Sequence, residues 1–185
     1  MNRKIAILVA AAAMTMAVPQ VALAEETVCR GTIGTRTLDN VKVPQGETCT
    51  LEGTKVKGTI RVKRGARLEA INVKVIGNIQ GENARNVIVR ENSRVGGSVQ
   101  VVQGEKAKVA SSKVKMDILY DDQSGKVIAR GNNVGGNVQA FQNNGSVHIR
   151  DNVIDGNLQC KENNPAPAGG NNEVQGNKED QCRNL

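Results

Sequence analysis

One phrase keeps returning along this chain: "VGGSVQ" at 95–100, "VGGNVQ" at 134–139 and "IDGNLQ" at 154–159. A fixed internal period constrains a fold more than any local propensity, because each unit must bury its apolar side against a copy of itself. One series runs Gly58, Gly77, Gly97, Met116, Gly136, Gly156 and Gly176, with steps of 19 or 20 residues. A second runs Asn72, Asn92, Ser112, Asn132, Asn152 and Asn172 at steps of 20 throughout.

Within each unit the apolar residues alternate with polar ones. "VKGTIRV" sets Val56, Gly58, Ile60 and Val62 on one side, and "VHI" does the same with Val147 and Ile149. Period two with β-branched residues predicts strands. The segments between them, "PQGE", "KRGA", "GENA", "DDQSG" and "QNNG", are rich in turn formers. Short strands on a period of about 20 residues predict an all-β fold, a parallel β-solenoid of about seven coils. Each strand then lies about 4.8 Å from its counterpart in the next coil, and inward side chains stack like on like. The Asn series fits a corner, where Asn tolerates the left-handed conformation and its amide can bond the neighbouring coil. The glycines read as inward positions at a bend with no room for a side chain.

The ends have their own signals. Arg3 and Lys4 precede an apolar run from Ile5 to Val18, and Ala22 and Ala24 frame a small-x-small site. This is the pattern of a secretory signal peptide over residues 1–24, with residues 25–185 forming a single β-solenoid domain. The apolar run is too short for a membrane span, which needs about 20 residues, so none is expected after cleavage. Loss of Arg3 and Lys4 removes two charges from a formal net charge of +7 and leaves the exported part basic. Four cysteines predict disulfides in an oxidising compartment, secreted or periplasmic. Cys29 and Cys49 lie one coil apart near the start, and Cys160 and Cys182 about one coil apart near the end. Paired in that way they would staple the two ends, where a solenoid exposes unpaired strand edges.

The Asn series at the corner before "VxGN" resembles the asparagine ladder of right-handed parallel β-helices of the pectin-lyase-like fold. The units "GNVQ" and "GNLQC", followed by "GGNNEVQGNKEDQC", are similar to those of secreted bacterial repeat proteins without an assigned activity. The resemblance covers about residues 40 to 182. It implies a right-handed coil, and the hexapeptide rhythm of left-handed β-helices is missing from the chain.

Many proteins of that fold act on acidic polysaccharides, which makes a lyase or hydrolase one reading. Its candidate catalytic residues are Asp121 and Asp122, the only adjacent aspartate pair, while His148 is the only histidine. The pair falls in a turn, a solvated position, and glycosidase chemistry wants two carboxyl groups at a fixed separation. His148 falls between inward Val147 and Ile149 and so points outward. No Cys-x-x-Cys spacing or carboxylate cluster asks for a metal or cofactor, and none is expected.

A non-catalytic, structural or surface-interaction role is the other reading, and the one the residues favour. Outward positions form series of their own, Asn78, Ser98, Asp117, Asn137 and Asn157, and Gln80, Gln100, Leu119, Gln139 and Gln159. Such rows could hydrogen-bond a glycan, or bond to one another and stiffen the stack. A basic cluster, Lys55, Lys57, Arg61, Lys63, Arg64, Arg67 and Lys74 against only Glu69, lies between Gly53 and Val75. It would attract an anionic cell-surface polysaccharide, or else form a solvated edge that discourages stacking of solenoid ends. Export makes nucleic acid the less natural partner.

Overall fold

Alternating valines and isoleucines do form strands, and the chain winds them into a parallel β-solenoid. The computed structural model describes residues 25–185; the expected signal peptide lies outside them. All strand pairing in the described residues is parallel, in three sheets of nine, eight and eight strands. A representative turn contributes Val99–Val102 to sheet A, Lys106–Ala110 to sheet B and Lys113–Val114 to sheet C. Three corners join these strands, and each strand pairs with its counterpart one turn away in unbroken register.

That register stacks like on like. Val41, Ile60, Ile79, Val99, Ile118, Val138 and Leu158 form one inward column of sheet A. Val56, Val75, Val95, Val114, Val134 and Ile154 form another in sheet C. These side chains are essentially buried, each contributing about 1.5–3 kcal/mol by leaving water. Tyr120 is the only aromatic in the core, and its hydroxyl donates to the Ile128 carbonyl at 2.9 Å.

The eight-stranded sheets give one turn more than the seven expected. The additional turn holds Glu26–Val28, Gly31–Ile33 and Thr37–Leu38. Its member of the glycine column is Asp39, whose carbonyl receives the Gly58 N–H just as the Gly58 carbonyl receives that of Gly77. Among the described residues the neighbour on its other side is Glu25, whose backbone hydrogen-bonds the Asp39 carboxylate and whose carbonyl accepts the Asn40 N–H.

The glycine column itself needs a different cause from the inward bend expected. None of its members has positive φ, and Gly58, Gly77, Gly136 and Gly156 are only half-buried at the corner from sheet C to sheet A. A Cβ at Gly97 would lie 2.1 Å from Asn78 Oδ1, and one at Gly176 would lie 2.2 Å from Asn157 Oδ1. Glycine recurs because a side chain from the turn below, or at Gly77 the Gly58 backbone carbonyl, occupies that space. Met116 breaks the series above Ser98, whose short hydroxyl leaves room.

Disulfides join Cys29 to Cys49 and Cys160 to Cys182. The first ties the two opening turns together. The second ties the last turns to the C-terminal tail, where Cys182 is buried and Leu185 packs against the core.

Candidate functional site

Each corner carries a polar column. At the corner from sheet C to sheet A, side-chain oxygens of one turn accept the N–H of the same position in the next. Asn40 accepts from Thr59, Asn78 from Ser98, Asp117 from Asn137, Asn137 from Asn157 and Asn157 from Asn177, all at 2.8–2.9 Å. Thr59 and Ser98 continue it through their hydroxyls. The outward Asn78, Ser98, Asp117, Asn137 and Asn157 are therefore engaged with the backbone along the whole molecule. The neighbouring glutamines also pair across turns, Gln139 with Gln159 at 2.8 Å and Gln80 with Gln100 at 3.4 Å.

At the corner from sheet B to sheet C, Ser112, Asn132, Asn152 and Asn172 are buried in one column. Asn152 Oδ1 accepts from both the backbone and the side chain of Asn132 at 3.0 Å, and its amide donates to the Ala129 carbonyl. Asn172 repeats this above Asn152. Asn72 and Asn92 lie elsewhere. Both are exposed and take positive φ, one residue before the column, and the positions in register with Asn132 are Val73 and Ser93. Alternating turns of 19 and 20 residues shift the phase, so a strict step of 20 crosses from one column to the next.

A third column, Gln123, Asn143, Asn163 and Gln181 at the corner from sheet A to sheet B, was not anticipated. Asn143 accepts from Gln123, Asn163 from Asn143 and Gln181 from Asn163. The spacing of Asn143 and Asn163 was its one sequence signal.

The basic residues expected to form a patch surround one turn. Lys55 and Lys57 lie at sheet C, Arg61 and Lys63 at sheet A, Arg64 at the following corner and Arg67 on sheet B. Two are neutralised locally: Lys57 pairs with Asp39 at 2.9 Å and Arg61 with Glu26 at 3.2 Å. The Lys57 ammonium beside Asp39 holds that carboxyl below its ordinary range.

A cationic row does exist, at right angles to the expected one. Lys55, Lys74, Arg94 and Lys113 are register partners in four successive turns of sheet C, all exposed. Among the described residues none of the four forms an ion pair, and a shallow depression of about 340 Å³ adjoins Arg94 and Lys113. The corner columns flank the two-residue strands of this sheet on both sides, polar apart from Val73 beside the row. Each cation precedes the glycine column by three residues, so Arg94 and Lys113 were accessible to sequence reading by following that offset.

Asp121 ends strand Ile118–Asp121 and is half-buried, while Asp122 sits exposed at the corner with positive φ. Burial, and then the Asp122 charge, raise the Asp121 carboxyl above its usual range. The turns above and below put Val102 and Phe141 in register with Asp121, so neighbouring coils do not supply carboxylates at that position. His148 is on sheet B, between Ile128 and Ala168.

These features define a class: a parallel β-solenoid with laddered corners, two disulfide-tied ends and an unpaired cationic row along one face. No protein-family model, curated protein or solved structure matches the chain.

Proposed function

We propose that this is an exported, non-catalytic β-helix that holds linear anionic polysaccharide along the cationic row of sheet C. The carrying observation is the row itself, with Lys55, Lys74, Arg94 and Lys113 in register on four turns. Adjacent strands are about 4.8 Å apart, closer than the roughly 8 Å screening length at physiological ionic strength. The four charges therefore repel one another and attract a polyanion jointly. Guanidinium and ammonium groups both suit carboxylates, and Arg94 adds a planar fork. Two disulfides favour an oxidising compartment outside the cytoplasm, in keeping with residues 1–24 acting as a secretory signal. Right-handed coiling of the pectin-lyase-like kind is the expected sense, since crossovers between parallel strands strongly prefer that hand.

Binding of the mature protein to polygalacturonate and to neutral dextran tests this reading. Polygalacturonate should bind and dextran should not, with affinity falling as salt rises. Lys74→Glu with Arg94→Glu should abolish binding, while Arg67→Glu on sheet B should leave most of it. Binding indifferent to salt and to the paired substitution would sink the proposal. Release of shortened polyuronate that Asp122→Asn abolishes would favour the polysaccharide-cleaving reading instead.

A further inference from the structure

Sheet B carries a second concentration of positive charge, distinct from the row on sheet C and in the opposite half of the solenoid. An open groove of about 680 Å³ runs over its outer surface, with Lys108, Lys126, Arg130, His148 and Arg150 along it and Ile128 on its floor. The register explains how these residues meet. Lys108, Ile128 and His148 are partners in three successive turns, and Arg130 and Arg150 are partners in the adjoining column. Five residues separated by as many as 42 positions in sequence thus share one surface.

The last strand of sheet B, Ala168–Gly170, contributes a single methyl, that of Ala168, and leaves the end of the groove open. Gly170 is the partner of Arg150, and a Cβ there would meet nothing within 4 Å. Gly169 has φ +153°, and its Cβ would lie 1.8 Å from the Ile149 carbonyl oxygen, so only glycine closes this strand onto the turn below. The charge is largely uncompensated. Asp151 is the one carboxylate in the lining, 3.8 Å from Arg150 and also approached by the Asn171 amide at 3.4 Å. Lys108, Lys126 and Arg130 form no ion pair among the described residues.

We propose that this groove binds a phosphate-type oxyanion, carried as an ester on a larger ligand. Two guanidinium groups on strands about 4.8 Å apart match a tetrahedral dianion, because each fork can donate to two of its oxygens. Phosphate carries about −1.5 to −2 near neutral pH, which suits the surplus of cations. Ile128 supplies an apolar floor for the carbon side of the ester, and the vacant space at Gly170 lets a larger group extend past the end of the sheet.

A backbone amide NMR titration of the mature, disulfide-bonded protein tests the site, with inorganic phosphate and a hexose phosphate added at constant ionic strength. Saturable shifts are expected at Ile128, Arg130, Arg150 and Gly170, with the hexose phosphate binding several-fold tighter than inorganic phosphate. Arg130→Gln with Arg150→Gln should weaken binding by about tenfold or more, and Lys74→Glu on sheet C should leave it unchanged. Should the double variant misfold, Lys126→Ala on the groove wall is expected to show a smaller loss in the same direction. Shifts that do not saturate, that survive the arginine substitutions, or that are as large at Lys55 and Lys74 would overturn the proposal. Equal affinity for the two phosphates would overturn its ester part.

Discussion

The corner between sheets B and C is filled by Thr54, Val73 and Ser93 in the first half of the solenoid and by Asn132, Asn152 and Asn172 in the second. The corner between sheets A and B divides in the same way, from Ala66 and Ala84 to Gln123, Asn143 and Asn163. Both halves keep the same path and the same strand register, so an amide is not what makes a corner. It adds bonds between turns. Each Asn satisfies a backbone N–H of its neighbour and a carbonyl beneath, groups that are costly to leave buried and unpaired. In the first half a hydroxyl or an alkyl group fills the same space and makes fewer bonds. The outer faces differ along the same axis, since the sheet C row passes from Lys55, Lys74, Arg94 and Lys113 to Asn133, Val153 and Glu173.

The strongest test of this contrast is truncation within the two halves. Asn152→Ala strands the backbone N–H of Asn132, takes one of two acceptors from the Asn132 side-chain amide, which keeps the Val109 carbonyl, and withdraws a donor from the Ala129 carbonyl, and should cost about 2–4 kcal/mol. Ser93→Ala removes the acceptor of the Val73 N–H, 3.1 Å away, and should cost about 1–2 kcal/mol. Urea denaturation of both variants decides the matter, and equal losses would mean the amide columns add nothing special. The two ends should respond alike, because the disulfides close loops of 20 and 22 residues. Replacing either pair by serine should cost about 3 kcal/mol, and a clear inequality in thermal midpoints would show that the ends differ in more than their corners.

The corner between sheets C and A is laddered throughout and supplies an internal control. Gly97→Ala in the first half and Gly156→Ala in the second should each destabilise by about 1–3 kcal/mol. Asn78→Ser should recover part of the Gly97→Ala loss, as Ser98 beneath Met116 already illustrates. A double-mutant cycle reads that coupling, and strictly additive effects would refute it. The smallest effect is expected at Asp121 in the second half. Its raised carboxyl penalises the ionised folded state, a penalty present at neutral pH and relieved as pH falls through the folded pKa. Asp121→Asn should therefore change stability by no more than about 0.5 kcal/mol at pH 7 and remove the gain that Asp121 makes as pH falls, so that the variant loses ground to the parent toward acid. A variant that gains on the parent between pH 7 and pH 4 in denaturation would contradict this.

Reading residues in order reached the strands, the coil and the cysteine pairs, and failed where adjacent turns had to be aligned. Asn72 and Asn92 looked like ladder members because they share a residue type and a step of 20 with Asn132, yet they occupy the exposed left-handed corner. Lys55, Lys57, Arg61 and Arg67 looked like a patch because they are close in sequence, yet a single turn carries them around its circumference. Arg94 and Lys113 are far from Lys55 in sequence and lie on the same face. The groove on sheet B escaped for the same reason, and the third polar column was visible only as the spacing of Asn143 and Asn163.

Alternation of apolar residues and a recurring corner are local properties, so the chain alone dictated short parallel strands, a coil of about 20 residues and a separate staple at each end, Cys29–Cys49 and Cys160–Cys182. The identity of every outward row was left to the stacked structure. Turns of 19 and 20 residues are mixed, and a slip of one position in a β-strand moves a side chain to the opposite face. Only the summed offsets of all preceding turns determine which charges and amides finally meet.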